Sequence, residues 1–334
     1  MNVNLAVIGQ GAVTPAGLGL SGLNGQPVLA TAEKTWPSFR VDLTASAPAR
    51  WQKEPRLRRA SPISYFLIEA AEQALAGVSA AERAETGLVA AFSAGPLSYS
   101  RRFFEGVVTQ GLGSPALFPE TVYNSPVSHV ASVLGLNGAA YALVGDESAW
   151  VAALQTAAVW LLQERVRQVV VLGAEEFDPI VLDAYRSARW LRRGNPAGGF
   201  LASEGAGGVL VRRARPEDER IILSARDGWI YRTKKQAAAA AASLLGESDP
   251  ALPCYRSAQR NWLGPMEQKI TAGRPAPADA PYLGEAFTAS AAWHTLRALN
   301  ALSPQMPHLL VPVWGLNHQL GLLELTQPRC NESR

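Results

Sequence analysis

Short aliphatic and β-branched runs alternate along this chain with stretches whose apolar positions recur at helical spacing. The runs predict strands at Leu5–Ile8, Gly87–Phe92, Ala140–Val144, Gln168–Leu172 and Gly208–Val211. Three more follow in the second half, at Arg220–Ser224, Leu309–Val313 and Leu320–Leu325. Helices are predicted over Ile63–Ala76, Ala149–Arg165, Gln236–Leu245 and Glu285–Leu302. In Ser64–Leu75 the spacing puts Leu67, Ile68, Ala71 and Leu75 on one face and leaves Glu69, Glu72 and Gln73 elsewhere. Such alternation predicts an α/β architecture with largely buried sheets. The polar, proline-bearing segment Arg212–Arg220 (RRARPEDER) reads as a joint between two parts, 1–214 and 215–334.

The segment Tyr141–Ala153 (YALVGDESAWVAA) runs from a strand through a polar elbow into a helix. A helix N-terminus is a natural seat for a nucleophile, because its unpaired N–H groups stabilise negative charge. This elbow holds Asp146, Glu147 and Ser148 and no cysteine. The G-x-S-x-G pattern of a serine nucleophile is absent, and no neighbouring His or Lys stands ready to activate Ser148. Capping of the helix by Asp146 or Ser148 is the favoured reading.

Gly9-Gln10-Gly11 follows the first strand, but Thr14-Pro15 stands where a dinucleotide-binding helix would begin. A glycine-permitted tight turn is expected there instead. His129, His294, His308 and His318 show no metal-ligand spacing, and Cys254 and Cys330 no disulfide framework. No metal and no cofactor is expected. His318, in the glycine-flanked WGLNHQLG, is the most site-like of the four histidines; Cys254 (LPCYR) reads as a small buried hydrophobe in a strand.

Of 334 residues, 48% are hydrophobic and 18% charged, ample for a large core and a subunit interface. The excess of Lys and Arg over Asp and Glu, 31 against 28, is too small to create a nucleic-acid-binding field. The opening MNVNLAVIG lacks a basic n-region, and no stretch reaches the roughly 20 apolar residues of a membrane span, which predicts a cytoplasmic protein.

Several ordered segments resemble the β-ketoacyl-acyl-carrier-protein synthases. GQGAVTPAGLG is similar to their opening, RRASPISYFLIEAAEQAL to their first long helix and TGLVAAFSAGPLS to the next strand and loop. FPETVYNSPVSHVASVLGLNG, with a Pro-x-x-x-x-Asn turn ending at Asn124, resembles the approach to the nucleophile. VVVLGAEEF and GGFLASEGAGGVLV resemble two later strands, and GEAFTASAAWHTLRAL the helix start that normally carries a catalytic histidine. The likeness covers most of the chain and is weakest from Glu217 to Pro281. It implies a thiolase-like layered α/β/α/β/α fold with two related halves, 1–214 and a shortened 215–334.

The resemblance also implies degeneracy. The family's nucleophilic cysteine falls on Glu147, its first histidine on Ser257 and its second on Glu285, while the expected lysine is Ala280. Glu147 cannot form a thioester, and Glu285 would repel its charge. Relatives of this kind act as chain-length factors: in type II polyketide or aryl-polyene synthesis they pair with an active ketosynthase and shape the tunnel for the growing chain. On that implication Phe103, Phe104, Phe118 and Trp150 are expected at the tunnel or interface, and Glu147 as a structural replacement bonded to elbow amides. Arg101, Arg102, Arg189 and Arg192 are expected to meet an acidic acyl carrier protein. Two alternatives stand beside this: a decarboxylase, acyltransferase or thioester hydrolase using Glu147 or Ser148, and a carrier-protein-binding module without chemistry.

Overall fold

The computed structural model describes residues 4–30, 36–44, 50–191, 199–246, 248–258 and 263–328. Its main strands are β1 (Leu5–Thr14), β2 (Thr86–Phe92), β3 (Ala140–Val144), β4 (Gln168–Glu175), β5 (Gly205–Arg213), β6 (Ile222–Ile230), β7 (His308–Gly315) and β8 (Gln319–Thr326). With the two-residue strand Gly17–Leu18 they form a nine-stranded sheet in the order β7-β8-β6-β1-β5-β4-β2-β3. β2 runs parallel to β3 and β4, whereas β1, β5 and β4 pair antiparallel in sequence. The sheet continues into the second half through the short antiparallel register Leu5↔Leu223 and Ala6↔Ile222.

The longer helices are α1 (Pro62–Ala74), α2 (Leu97–Gln110), α3 (Asn124–Leu134), α4 (Ala149–Leu162), α5 (Pro179–Ser187), α6 (Lys234–Gly246), α7 (Gly264–Ile270) and α8 (Thr288–Ala301). α4 and α8 pack on each other and on strands from both ends of the sheet, so the sheet curls around them. The period-two geometry of a strand explains why the strand sequences read as continuous apolar runs. Val169 and Val171 join the central core around α4 and α8, while Val170 and Leu172 face the core under α1 and α3. A third core lies on the outer side of the second half, where Leu310, Leu320 and Leu322 meet Ala237, Ala241 and Leu244 of α6. Five layers result: helices, sheet, the central helix pair, sheet, helices.

Four features depart from the sequence expectations. Gly9-Gln10-Gly11 forms no turn; it lies inside β1, where a Cβ on Gly11 would fall 2.0 Å from the Ala70 carbonyl oxygen of α1. The glycines are therefore there for close helix approach. The chain reverses only after Thr14, pairing Thr14 with Gly17. Glu69 of α1 is buried, accepting from Trp51 Nε1 (2.9 Å) and Gln73 Nε2 (2.9 Å). α8 begins at Thr288 rather than Glu285, because Phe287 sits at φ 46°, outside helical space. Helices α2, α3, α5 and α7 were not anticipated, and α2 buries no residue that would have given it an apolar stripe. Among the described residues no helix is long and apolar enough to cross a membrane.

Candidate functional site

The elbow after β3 is held by two adjacent carboxyl groups. Asp146 Oδ1 accepts from Ser148 N (3.0 Å) and Ser148 Oγ (2.6 Å), and Asp146 Oδ2 accepts from Asn317 N (2.9 Å) in the β7–β8 turn. A Cβ on Gly315 would lie 2.0 Å from Asp146 Oδ2, so the turn approaches the elbow only because that residue is glycine. Ser148 Oγ also touches the Gln319 side-chain amide. Buried and tied in this way, its hydroxyl donates to the same Asp146 oxygen that its own N–H binds, with no histidine or lysine among its hydrogen-bond partners.

Glu147 points to the other side of the elbow. Its Oε2 accepts from Leu316 N (2.9 Å), while Oε1 is buried without a hydrogen-bond partner. Its leading backbone partner is thus the β7–β8 turn, with its own elbow N–H acting in the same sense. Burial pushes its carboxyl well above the ordinary range, and the charges of Glu285 and Asp146 push the same way. Both effects favour its protonated form.

Glu147, Ser257 and Glu285, from three distant parts of the chain, line one small cavity together with Ser290, His294 and Trp314. Each is fixed by backbone contacts. Ser257 donates Oγ to Pro312 O, and its N–H donates to Glu267 Oε1 (3.0 Å). The Glu285 backbone bonds Leu201 O (2.8 Å) and Ser203 N (2.9 Å), and its Oε1 accepts from Phe287 N (3.0 Å). Thr288 Oγ1 lies within reach of Ala91 O (2.9 Å) and Ala174 O (3.1 Å), which anchors the start of α8 against the ends of β2 and β4.

His294 is the cavity residue that sequence reasoning passed over. Its Nδ1 lies 3.3 Å from the Tyr255 hydroxyl, and burial, with help from the Arg297 charge, drives its pKa down to about 3. It is a neutral imidazole and not a general acid at neutral pH. The signal was a row of polar residues, Ser290, His294 and Arg297, along one face of a helix otherwise rich in Ala, Leu and Trp.

Among the described residues no thiol lines this cavity. Cys254 lies in the outer core of the second half, bridged to Leu310, and burial pushes its pKa up to about 12. It forms no pair with His318, whose ring packs on Tyr231 instead (5.5 Å).

The remaining expected residues fall into two separate places. Trp150 is fully buried between the central helices, with Nε1 donating to Thr295 Oγ1 (2.8 Å). Phe103, Phe104 and Phe118 cluster on the surface, with ring centroids 5.5 and 5.7 Å from that of Phe103. Phe104 is 61% and Phe118 58% exposed. Arg101 is already paired with Asp178 (3.0 Å) and Glu105 (2.7 Å), and Arg102 lies over the Tyr99 ring (5.2 Å). Arg189 is exposed, with φ 58°. Arg192 lies outside the described residues.

Three other buried carboxyls organise the loops beneath the site. Glu175 accepts from Ser93 N and from Ala94 N (3.0 Å), Glu176 from Ile63 N (3.1 Å) and Ser98 N (2.7 Å). Glu267 accepts from Ser257 N, Ala258 N (2.9 Å) and Trp314 Nε1 (2.9 Å). Burial outweighs these bonds and raises the three to about 8, 7 and 7 respectively. An acid with a raised folded pKa binds more protons folded than unfolded, so its stability contribution is lost as pH rises from the unfolded value to the folded one. Below about pH 6.5 His294, buried neutral, acts in the opposite sense. Stability is therefore expected to fall between pH 6.5 and 8, by on the order of 1 kcal/mol per pH unit for each acid still titrating. Urea midpoints across that window check this; a flat or rising profile would contradict it.

The β-ketoacyl synthase N-terminal domain family matches residues 6–217. No curated protein matches the sequence. Among solved structures, the ishigamide ketosynthase/chain length factor superposes with a TM-score of 0.81 at 18% identity, over 98% of this chain and 100% of that one. A β-ketoacyl synthase from Burkholderia phymatum STM815 gives 0.78 at 14% identity, again over 98% and 100%. The AntDE:AntF complex, a type II polyketide acyl-carrier protein with its ketosynthase bound to the hexaketide, gives 0.75 at 16% identity over the same shares. The family match spans more than half the chain and the layered architecture agrees with it: the protein belongs to the β-ketoacyl synthase family and has the thiolase-like fold.

Proposed function

We propose that this protein is a non-catalytic ketosynthase-like subunit, a chain-length factor. It pairs with an active, cysteine-bearing ketosynthase and shapes the tunnel for a growing acyl or polyene chain in type II polyketide or aryl-polyene synthesis. The observation that carries this reading is the Glu147–Ser257–Glu285 cavity. A buried carboxyl stands where the resemblance puts the nucleophile, with a serine and a second carboxyl around it and, among the described residues, no thiol. Thioester formation and decarboxylative condensation need a thiolate and oxyanion donors, which these side chains do not supply.

The surface supports a partner. β3 is the edge strand of the sheet, with Tyr141 55% and Val144 53% exposed. An open apolar edge invites pairing with another sheet. Exposed Val122 and Tyr123 follow the Phe118 cluster in sequence and add to the apolar surface. A self-pair would bring no cysteine at the elbow of either protomer, so a ketosynthase is the productive companion. Phe103, Phe104 and Phe118 are the proposed tunnel or interface contacts, whereas Trp150, fully buried in the central core, serves the fold. Among the arginines, Arg102 and Arg189 carry the proposed carrier-protein contact, because Arg101 is neutralised by its own acids. Residues 1–214 and 215–334 are read as the two related halves.

The test is turnover. Incubated alone with acyl- and malonyl-carrier thioesters, the protein is expected to form no condensed product, and to support product formation only when an active ketosynthase is added. Condensation by the isolated chain would overturn the reading. One observation favours a second reading: Glu147 Oε1, unpartnered and buried, could hand a proton to a bound thioester. That reading requires turnover without a partner that is abolished by Glu147→Gln.

A further inference from the structure

The row of polar residues along α8 leads away from the Glu147 cavity. Ser257, Glu285, Ser290 and His294 line a second small cavity with Tyr282 and Arg297. Arg297 in turn lines a third, much larger pocket of about 440 Å³ that opens to solvent. Its walls are Leu20 and Leu23 from one segment, Pro277 and Ala278 from another, and Asn300 at the end of α8, with Tyr255 beside Arg297.

Arg297 is only 8% exposed. Its Nε donates to Leu23 O (2.9 Å), and Nη2 donates to Leu23 O and to Pro281 O (2.7 Å). Tyr255 and the neutral His294 are the other polar groups that feel its charge. The carbonyl partners satisfy hydrogen bonds without cancelling the charge. Among the described residues no carboxylate forms an ion pair with Arg297. Glu267 and the exposed Asp279 bear electrostatically on Tyr255, yet neither is paired with the guanidinium. Burial accordingly draws the Arg297 pKa down from its ordinary value.

A buried cation without an anion is a costly arrangement, and an anion entering the pocket relieves it. With Nε and Nη2 engaged, Nη1 is the guanidinium nitrogen left to face a carboxylate, and the Tyr255 hydroxyl lies beside the charge. The leucine, proline and alanine walls favour an apolar body over a fully hydrated ion. We infer that this pocket is a binding site for a small amphipathic organic carboxylate, whose acid group meets Arg297 and Tyr255 and whose apolar part lies against Leu20, Leu23 and Pro277. The site is separate from the partner surface and does not depend on the chain-length-factor reading.

Hexanoate titrated into the full-length protein by isothermal calorimetry tests this, with hexanol and inorganic phosphate as comparisons. Hexanoate is expected to bind saturably, and each comparison at least about tenfold more weakly, the worth of a charge-assisted hydrogen bond. Arg297→Met should weaken hexanoate by a similar factor. Because that variant also strips the bonds to Leu23 O and Pro281 O, Ala278→Trp provides an independent arm: it fills the mouth from an exposed loop position, leaves Arg297 in place, and should abolish binding. No saturable hexanoate binding by the wild type would overturn the inference. So would hexanol or phosphate binding as tightly as hexanoate, or binding that survives Ala278→Trp.

Discussion

Replacing Trp150 by alanine is expected to destabilise the fold by about 3–5 kcal/mol. The indole is wholly enclosed at the start of α4, in the core that both ends of the sheet share, and no side chain nearby has solvent-side freedom to fill the space. Its loss also removes the N–H that Thr295 Oγ1 accepts, leaving that hydroxyl only its own bond to Ala291 O (2.8 Å). Urea unfolding of Trp150→Ala beside Phe104→Ala reads the contrast directly. Phe104 is mostly exposed, so its truncation should change stability by no more than about 0.5 kcal/mol while altering product length in the reconstituted pair. A Trp150→Ala loss below about 1 kcal/mol would mean that the central helices are packed far more loosely than described.

The second large effect concerns assembly. Introducing Tyr141→Asp together with Val144→Asp should abolish capture of a partner ketosynthase. Two apolar anchors at about 2 kcal/mol each amount to roughly 1,000-fold in affinity, and charge on an edge strand opposes sheet pairing as well. Both side chains are more than half exposed, so the folded chain itself should lose little stability. Unaltered capture by the double variant would move the interface away from β3.

Much of the fold was legible because buried strands announce themselves. Every main strand was anticipated, six of them within three residues and β1 and β6 cut six residues short, since sheets covered on both faces need apolar residues at consecutive positions. The helices that escaped notice lacked that signal: α2 lies on the surface with no buried face, and α3 was noticed for its resemblance rather than its period. The elbow was legible as a strand-to-helix turn. What it does with its carboxyls was not, because the groups that bind them, the N–H of Leu316 and of Asn317, lie about 170 residues away in sequence. The same holds for the cavity. Spacing gave Glu147, Ser257 and Glu285 no relation to one another; only the ordered resemblance placed them in corresponding roles, and the fold brings them to one lining. Trp150 shows the converse. An aromatic beside a candidate site is usually core, and here it is.

The measurement that bears most directly on the central claim is affinity purification of the tagged protein from its native host, with mass spectrometry of what co-elutes. The chain-length-factor account predicts stoichiometric recovery of a ketosynthase that carries the nucleophilic cysteine this chain replaces with Glu147. Recovery of a homodimer or monomer, free of any such ketosynthase, would contradict it.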